Sequence, residues 1–163
     1  MDKNFKKKGV LILIDTLESA GAENVAVNIA TQLKDSDEFR PVVCSTRWGG
    51  VLEEVLRGNN IRYILLKRRR SYEAYRFFSL RKIIGEENIQ IIHAHKLGSN
   101  LWGALFGRLY NIPVIAHCHA QTYSWSSLLA DKIIEKLSYT IVSISEYERR
   151  RLIKEERISP SNL

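Results

Sequence analysis

Residues 10–33 read VLILIDTLESAGAENVAVNIATQL and contain the pattern of a strand, a loop and a helix in that order. The first five residues are an apolar run with the length and β-branched character of a buried strand. After the loop, Val25, Ile29 and Leu33 recur at four-residue intervals, which is the spacing of one helical face. Gly21 lies directly before this helix. The stretch therefore predicts a βα unit whose helix begins at a glycine turn.

The alternation of strand and helix continues along the chain. Further apolar runs bounded by polar or turn residues occur at 41–44, 61–66, 89–92, 112–116 and 140–144. Helical spacing recurs between them, at Leu101, Leu105 and Leu109 and again at Leu129, Ile133 and Leu137. Buried strands that alternate with helices predict an α/β fold with a doubly wound, Rossmann-like parallel sheet covered by helices on both faces.

The length of 163 residues suits one compact domain, and no Pro/Gly-rich linker or repeat divides it. The tail 159–163 has a turn-like composition and follows a segment with helical character. We therefore expect residues 1–163 to form a single domain that belongs to a longer protein, with a second domain absent from this sequence.

The charge balance narrows the classes of partner. The chain has 25 Lys and Arg against 18 Asp and Glu, a net charge of +7, which favours an anionic partner. RNP and zinc-finger patterns are missing from the sequence, so nucleic acid is not the expected partner. Cys44 and Cys118 form no CxxC pair, and the first apolar run is too short to span a membrane. The sequence predicts a cytoplasmic protein. Peripheral binding to the inner face of an anionic membrane is a further hypothesis.

Ligands of parallel sheets bind at the carboxyl ends of the strands. This rule selects the segments 15–23, 45–50, 93–100, 117–123 and 143–146.

In the first of these segments, Ala20 and Gly21 precede a helix whose free backbone N–H groups can receive a phosphate. The sequence contains neither GxGxxG nor GxxxxGK[ST], so a standard dinucleotide site or P-loop is not indicated. Two simpler interpretations stay open. In the first, Gly21 is present only because the turn requires a glycine. In the second, Glu23 is present only because the helix dipole favours an acidic residue in the first turn.

All four histidines fall in two pairs, His93 with His95 and His117 with His119, each at the end of a predicted strand. Residues two apart on a strand share a face, so the pairs converge if the two strands are neighbours. Imidazoles at such an edge can donate hydrogen bonds or move protons near neutral pH. In the alternative interpretation, His93 and His117 are buried and satisfied by backbone groups, and only the outer ring of each pair meets a ligand.

A zinc site is a competing interpretation, because two His-x-His pairs and Cys118 supply enough nitrogen and sulfur ligands. Side chains on one strand face point in parallel, however, and no carboxylate is close in sequence to orient the imidazoles. We therefore expect no metal and no other cofactor. Ser145 follows the last apolar run and opens a helix, which predicts an N-cap whether or not anything binds there.

Taken together, these motifs resemble the N-terminal domain of the retaining glycosyltransferases of family 4, which have the two-domain GT-B architecture. The segment from Ala20 to Glu23 is similar to the family's Gly-Gly-Ala-Glu loop, with Ala20 in place of the first glycine. His93-Ala94-His95, with the small-residue helix that follows it, resembles the family's HAH strand and helix. Residues 113–119 resemble the strand whose last histidine lies near the transferred sugar, which makes His119 the matching position. Ala120 stands where the family often has Asp or Asn.

The resemblance also covers Ile144, Ser145 and Glu146, which are similar to the SE element that closes the sheet of this domain. In the family this half supplies the acceptor side, and the C-terminal half binds the nucleotide through a Glu-x7-Glu region that has no counterpart here. The resemblance implies a hexosyltransferase that moves a sugar from a nucleotide-sugar donor to a glycan or lipid-linked acceptor with retention, in polysaccharide biosynthesis. The isolated chain is expected to be inactive.

Combining the resemblance with the residue chemistry gives a set of candidate site residues. His119 is the catalytic candidate. Gly21, Ala20 and Ser145 are candidates for contacts with the donor phosphates, and His95, Lys96 and Glu23 are candidates for contacts with substrate. Two other classes remain open: a sugar-nucleotide epimerase of GT-B fold, and a non-catalytic domain that binds a glycan or an anionic headgroup.

Overall fold

A computed structural model of the chain describes residues 7–119, 125–155 and 157–163. The strands are β1 Lys8–Thr16, β2 Phe39–Trp48, β3 Arg62–Leu65, β4 Ile89–His95, β5 Val114–Cys118 and β6 Thr140–Ser143. The α-helices are α1 Gly21–Lys34, α2 Leu52–Gly58, α3 Ser79–Glu86, α4 Leu97–Tyr110, α5 Trp125–Leu137 and α6 Glu146–Lys154. Short 3₁₀ segments occur at Ser71–Phe78 and Pro160–Asn162. All six predicted strands are confirmed within a few residues.

The strands form one parallel sheet in the order β3-β2-β1-β4-β5-β6. The chain winds outward from β1 to β3, then crosses back to β4 and winds the other way. The order reverses between β1 and β4, which is where ligands bind in doubly wound sheets. The predicted fold class is confirmed.

Each face of the sheet carries its own apolar core. On one face, α1 and α2 pack on β1 and β2 through fully buried side chains such as Ile12, Val43 and Leu56. On the other face, α3 and α4 cover Leu13, Ile92 and their neighbours. A third cluster joins α5 and α6 to β5 and β6. The central strand β1 is therefore apolar on both faces, as its unbroken run of apolar residues predicts.

The predicted inner face of α4 is wrong. Leu105 and Leu109 are exposed, by 38% and 69%, and the buried face contains small residues instead. A Cβ atom at Gly103 would lie 3.0 Å from Ala94 Cβ, and one at Gly107 would lie 2.1 Å from Val114 Cγ2. The two glycines let the helix backbone approach β4 and β5 more closely than leucines would permit.

The predicted buried face of α5 is also wrong, and that of α1 is partly wrong. Leu129 is 69% exposed, whereas Ala130 and Ile134 are buried. In α1 the alanines at the sheet are fully buried, and the predicted Val25 and Ile29 are only half-buried at the margin. Leucine spacing locates these helices, but it does not identify the face that packs on the sheet. No helix within the described ranges is long and apolar enough to cross a membrane.

Two loops at the carboxyl edge of the sheet are locked together by a close backbone contact. Gly50 follows β2, and a Cβ atom there would lie 2.4 Å from Leu17 O and 2.5 Å from Glu18 N. The Leu52 N–H donates to the Leu17 carbonyl at 3.0 Å, and the Trp48 indole donates to the Glu18 carboxylate at 3.1 Å. The β1–α1 loop is therefore held by the loop after β2.

Replacing Gly50 with alanine is expected to lower the free energy of unfolding by about 1–3 kcal/mol, because backbone atoms cannot move aside as a flexible side chain can. Gly58→Ala is the matched control, since no described atom lies within 4 Å of a Cβ atom at Gly58. It should be neutral or slightly stabilising. Urea unfolding of both variants measures the difference, and equal stability of the two would contradict the locked loop.

Candidate active site at the carboxyl edge of the sheet

The carboxyl ends of β1, β4 and β5 lie side by side and bring the predicted segments together. His95 on β4 pairs in register with His117 on β5, which confirms that the two histidine strands are neighbours. The β1–α1 loop reaches the same edge from the other side of the reversal point. The segments 15–23, 45–50 and 93–100 share this edge, as the strand-end rule predicts.

Glu23 and Lys96 form an ion pair across the reversal point. Glu23 lies in the first turn of α1 and is 1% exposed, and Lys96 follows β4. Lys96 Nζ is 2.5 Å from Glu23 Oε1, which also accepts a hydrogen bond from Thr16 Oγ1 at 3.2 Å. Glu23 Oε2 is buried and has no hydrogen-bond partner among the described residues. Glu23 therefore does more than complement the helix dipole, because it also binds Lys96 and Thr16.

The backbone of Lys96 is in a conformation that L-residues rarely adopt, with φ 68° and ψ 157°. This conformation turns the chain sharply from β4 into α4 and directs the lysine toward α1. Such backbone geometry costs free energy of about 1–3 kcal/mol and persists where surrounding contacts fix it. Here the contacts are the ion pair to Glu23 and a backbone hydrogen bond from Lys96 N–H to the His117 carbonyl at 3.3 Å.

Asp15 is a site residue that sequence reasoning did not single out. Its Oδ1 accepts hydrogen bonds from Ser99 Oγ at 2.9 Å and from Thr46 Oγ1 at 3.1 Å. Ser45 Oγ donates to the backbone carbonyl of Asp15 at 3.0 Å. These bonds tie the ends of β1 and β2 to the start of α4. The sequence does show an acidic residue directly after the first apolar run. Its hydrogen-bond partners, however, can be identified only when the strand order is known.

The amino end of α1 is open. Ala20 is the N-cap in an extended conformation and makes no side-chain capping bond to a described residue. No described atom lies within 4 Å of a Cβ atom built on Gly21, and its φ is not positive. Neither backbone conformation nor crowding therefore demands glycine at this turn, against the simpler interpretation of Gly21. The first N–H groups of the helix have no intrahelical acceptor and can receive an anion.

The four histidine rings form a ladder on one face of β4 and β5. His93 stacks on His95 with ring centroids 4.5 Å apart, and His117 stacks on His119 at 4.7 Å. His95 Nδ1 and His119 Nε2 are 3.2 Å apart, so one of these nitrogens donates to the other. His93 Nε2 and His117 Nδ1 have no partner among the described residues. The interpretation that backbone groups satisfy His93 and His117 is thus wrong for these two atoms.

The ladder is neutral at physiological pH. Burial, together with the charges of neighbouring imidazoles, lowers the pKa of His93 and of His119 to about 4. Burial also lowers the pKa of His95 to about 2 and the pKa of His117 below its ordinary value. A neutral imidazole has one N–H donor and one acceptor nitrogen, so His119 can donate a hydrogen bond without bringing a charge.

The lowered pKa values predict a pH-dependent stability. In the unfolded chain the histidines take up protons below about pH 6.5, whereas in the fold they stay neutral to lower pH. The unfolded state then binds more protons, so stability is fully present above pH 6.5 and is lost as the pH falls toward 4. Each buried histidine contributes a slope of up to about 1.4 kcal/mol per pH unit.

Urea unfolding at pH 7, 6 and 5 measures this slope. The free energy of unfolding should fall by several kcal/mol over the range, and His93→Asn should reduce the slope by about one proton. A flat profile between pH 7 and pH 5 would show that the ladder is protonated in the fold.

The ladder does not have the geometry of a metal centre. Nitrogens of His93, His95 and His117 lie within 4.8 Å of one another, which makes these residues candidate ligands of a shared metal ion. The His93 and His117 rings are nearly parallel, at 4°, and the His95 ring is tilted by about 30° to each of them. Lone pairs lie in the ring planes, so stacked rings direct them side by side and not to one point about 2.0–2.1 Å from each nitrogen.

Ser145 is the N-cap of α6, as predicted. Its Oγ accepts the Glu148 N–H at 3.1 Å, so capping accounts for this hydroxyl. Ala120, where the family motif has Asp or Asn, lies outside the described residues, as does the rest of segment 117–123 beyond His119.

Comparison with known proteins agrees with the fold. The profile of glycosyltransferase family 4 matches residues 19–163. The crystal structure of Anabaena HepE in complex with UDP superposes with a TM-score of 0.79 at 17% identity, over 94% of this chain and 42% of that one. A glycosyltransferase from Rickettsia africae superposes with a TM-score of 0.78 at 18% identity, over 97% and 42% of the two chains.

A UDP-N-acetylglucosamine 2-epimerase from Rickettsia bellii also superposes, with a TM-score of 0.61 at 14% identity, over 96% of this chain and 43% of that one. No curated protein sequence matches the chain. At such identities the structural matches show the fold alone, and the chain spans about two fifths of the length of the solved structures. The family profile covers most of the sequence, and the chain accordingly belongs to glycosyltransferase family 4, with the fold of the N-terminal domain of GT-B enzymes.

Proposed function

We propose that this chain is the acceptor-side domain of a hexosyltransferase that moves a sugar from a nucleotide-sugar donor to a glycan or lipid-linked acceptor with retention. The observation that carries the proposal is the convergence of His119, His95 and the Lys96–Glu23 pair at the reversal point of the sheet. These residues come from three separate segments and offer hydrogen-bond donors and acceptors at one place. A sugar, which presents several hydroxyl groups, is a suitable ligand.

In this proposal His119 donates a hydrogen bond to the transferred sugar or to the charge that develops on it. His95 holds the His119 ring through the 3.2 Å contact between their nitrogens. Lys96, whose side chain is 36% exposed, donates to an acceptor hydroxyl, and the buried carboxylate of Glu23 holds the lysine in place. Preorganised donors of this kind stabilise a transition state because they need no reorganisation during the reaction.

The open amino end of α1, at Ala20 and Gly21, supplies N–H groups for the donor phosphates as the nucleotide diphosphate departs. The nucleotide itself is bound mainly by a second domain, so the isolated chain is inactive. That HepE was crystallised with UDP supports a nucleotide-sugar donor. Closure of two domains over the edge would exclude water, which competes with the acceptor as nucleophile.

The proposal also places the enzyme at a membrane surface. The net charge of +7 favours attraction to anionic lipid, which suits an enzyme of polysaccharide biosynthesis at the cytoplasmic face of a membrane. Sedimentation with vesicles tests this part. Binding should rise with anionic lipid content and fall with added salt, and binding that ignores both would remove the membrane from the proposal.

The transfer reaction is tested on the longer transferase that contains this domain. UDP- and GDP-sugars are supplied with glycan or lipid-linked acceptors, and NMR reads the anomeric configuration of the product. A product with the configuration of the donor supports the proposal. Interconversion of UDP-N-acetylglucosamine with its 2-epimer and no transfer would favour the epimerase class, and glycan binding by this chain without any turnover would favour a non-catalytic domain.

A further inference from the structure

A cationic cavity lies beside the candidate active site and plays no part in the roles given above. It has a volume of about 320 Å³ and is lined by Arg47, Trp48, Gly49, Leu65, Lys67 and Arg69. We call it the arginine pocket. β2 ends at Trp48 and β3 at Leu65, so the pocket opens at the same carboxyl edge as His95.

The cations of the arginine pocket form no ion pair with a described residue, although two carboxylates border its lining: Glu18 accepts from the Trp48 indole at 3.1 Å, and Glu53 lies against Gly49. Residues 67–70 read KRRR, and among the described residues Arg47, Lys67, Arg68 and Arg69 form no ion pair. Glu73 attracts Arg68 and Arg69 electrostatically, but its direct contacts are with other groups. Its carboxylate accepts the backbone N–H groups of residues 69 and 70 at 2.5 and 2.9 Å and lies 3.7 Å from Arg76 Nε.

Arg47 in the pocket lining, and Arg68, which lies outside the lining, have guanidinium groups that are held in place and partly withdrawn from water. Arg47 lies over the Trp48 ring at 5.6 Å, and Arg68 lies over the Phe77 ring at 5.3 Å. Nε of Arg47 and Nε of Arg68 are both buried and have no hydrogen-bond partner among the described residues. Burial, and then the charge of Arg47, lower the pKa of Arg68. Like charges held together with unpaired N–H groups cost free energy, which a bound anion would recover.

The geometry points to a phosphate-binding site, and we infer that the arginine pocket receives a phosphate group of the acceptor. The inference rests on the proposed function, since it assigns the acceptor to the same sheet edge. Guanidinium groups bind oxyanions through paired N–H groups, and Arg and Lys together match a dianion better than a monoanion. A neutral glycan would leave the cations unpaired.

The position of the pocket also sets the shape of the acceptor. Three strand spacings of about 4.8 Å separate β2 from β5, so the pocket and His119 are on the order of 14 Å apart. Asp15, bonded to Thr46 and Ser99, lies between them. An acceptor that reaches both places is extended along the edge, with its phosphate at the pocket and its reacting hydroxyl near His119.

Titration of the ¹⁵N-labelled 163-residue chain with glucose 1-phosphate, glucose and glucuronate tests the inference directly. Glucose 1-phosphate should shift the backbone amides of residues 47–49 and 67–70 and should bind at least tenfold more tightly than the other two probes. Absence of shifts at these amides would overturn the inference. Glucuronate binding as tightly as glucose 1-phosphate would also overturn it, in favour of a carboxylate ligand.

The double variant Arg47→Gln/Arg69→Gln should weaken glucose 1-phosphate binding at least tenfold. The matched control is Lys34→Gln/Arg108→Gln, which removes the same charge from two exposed residues in the last turns of α1 and α4, at the opposite edge of the sheet. The control should bind within twofold of the parent chain. Equal weakening of both variants would reduce the pocket to a general charge effect and overturn the inference.

Vesicles of phosphatidylglycerol and of phosphatidylcholine distinguish a lipid-borne phosphate from a soluble one. Anionic vesicle binding that Arg47→Gln/Arg69→Gln abolishes supports the pocket with a lipid source, and glucose 1-phosphate binding alone supports it with a soluble source. Vesicle binding that the variant leaves unchanged, without glucose 1-phosphate binding, contradicts the pocket. Such a failure is separate from the proposed function, because the longer transferase would still transfer sugar to an uncharged acceptor.

Discussion

His119→Ala is expected to lower kcat for sugar transfer by about 10²–10³-fold in the transferase that contains this domain. Removing one preorganised hydrogen-bond donor from a site where charge develops typically costs this much. The His119 ring is 8% exposed and is held by His95 at 3.2 Å, so its position is fixed before the substrate arrives. KM for the acceptor should change much less than kcat, because the bond strengthens mainly in the transition state.

His119→Gln serves as the conservative variant, since its amide can still donate a hydrogen bond, and it should recover part of the lost rate. Urea unfolding of both variants separates a catalytic loss from a folding defect. A kcat within threefold of the parent enzyme for His119→Ala would remove His119 from the catalytic role. A loss confined to KM would make it a binding residue only.

Lys96→Met is expected to destabilise the fold by about 3 kcal/mol at pH 7. Glu23 is 1% exposed, and without Lys96 its carboxylate would keep only the hydrogen bond from Thr16. Leaving a buried charge without its partner typically costs about 3–5 kcal/mol, and the lower end applies because 36% of the Lys96 side chain is exposed. Glu23→Gln should cost less, since the lysine head can turn to water.

A double-mutant cycle measured by urea unfolding isolates the pair. Glu23→Gln/Lys96→Met should be more stable than Lys96→Met alone, because no buried charge remains. Lys82→Met is the matched control: Lys82 also pairs with a glutamate, Glu86 at 3.6 Å, but 75% of its side chain is exposed, so little change is expected. If Lys96→Met and Lys82→Met behave alike, the pair across the reversal point does not hold the site together.

The strands could be predicted from the sequence because burial on both faces of a parallel sheet leaves short, continuous apolar runs. Val10 to Ile14 is such a run, and it became the central strand. The helical faces could not be predicted in the same way. Leucine spacing selected Leu105 and Leu109, but contact between α4 and the sheet depends on Gly103 and Gly107, whose value lies in the absence of a side chain.

The candidate site was predictable in part for a related reason. Paired histidines at strand ends signal a shared face, and the register of His95 with His117 confirms this. The hydrogen bonds of Asp15 to Thr46 and Ser99 join three segments, which are adjacent only because β1 lies between β2 and β4. Local sequence patterns do not specify that order. The arginine pocket could not be predicted for the same reason, because Arg47 lies in β2 and the KRRR run follows β3.

Calorimetric titration with UDP and GDP, on this chain and on the longer transferase, tests most directly whether this domain is the acceptor side of the enzyme. We expect UDP and GDP to bind the 163-residue chain no more tightly than glucose 1-phosphate does, and to bind much more tightly to the longer protein, whose second domain would hold the donor. Binding of either nucleotide by the 163-residue chain as tightly as by the longer protein would contradict this assignment and would place the donor site in this domain.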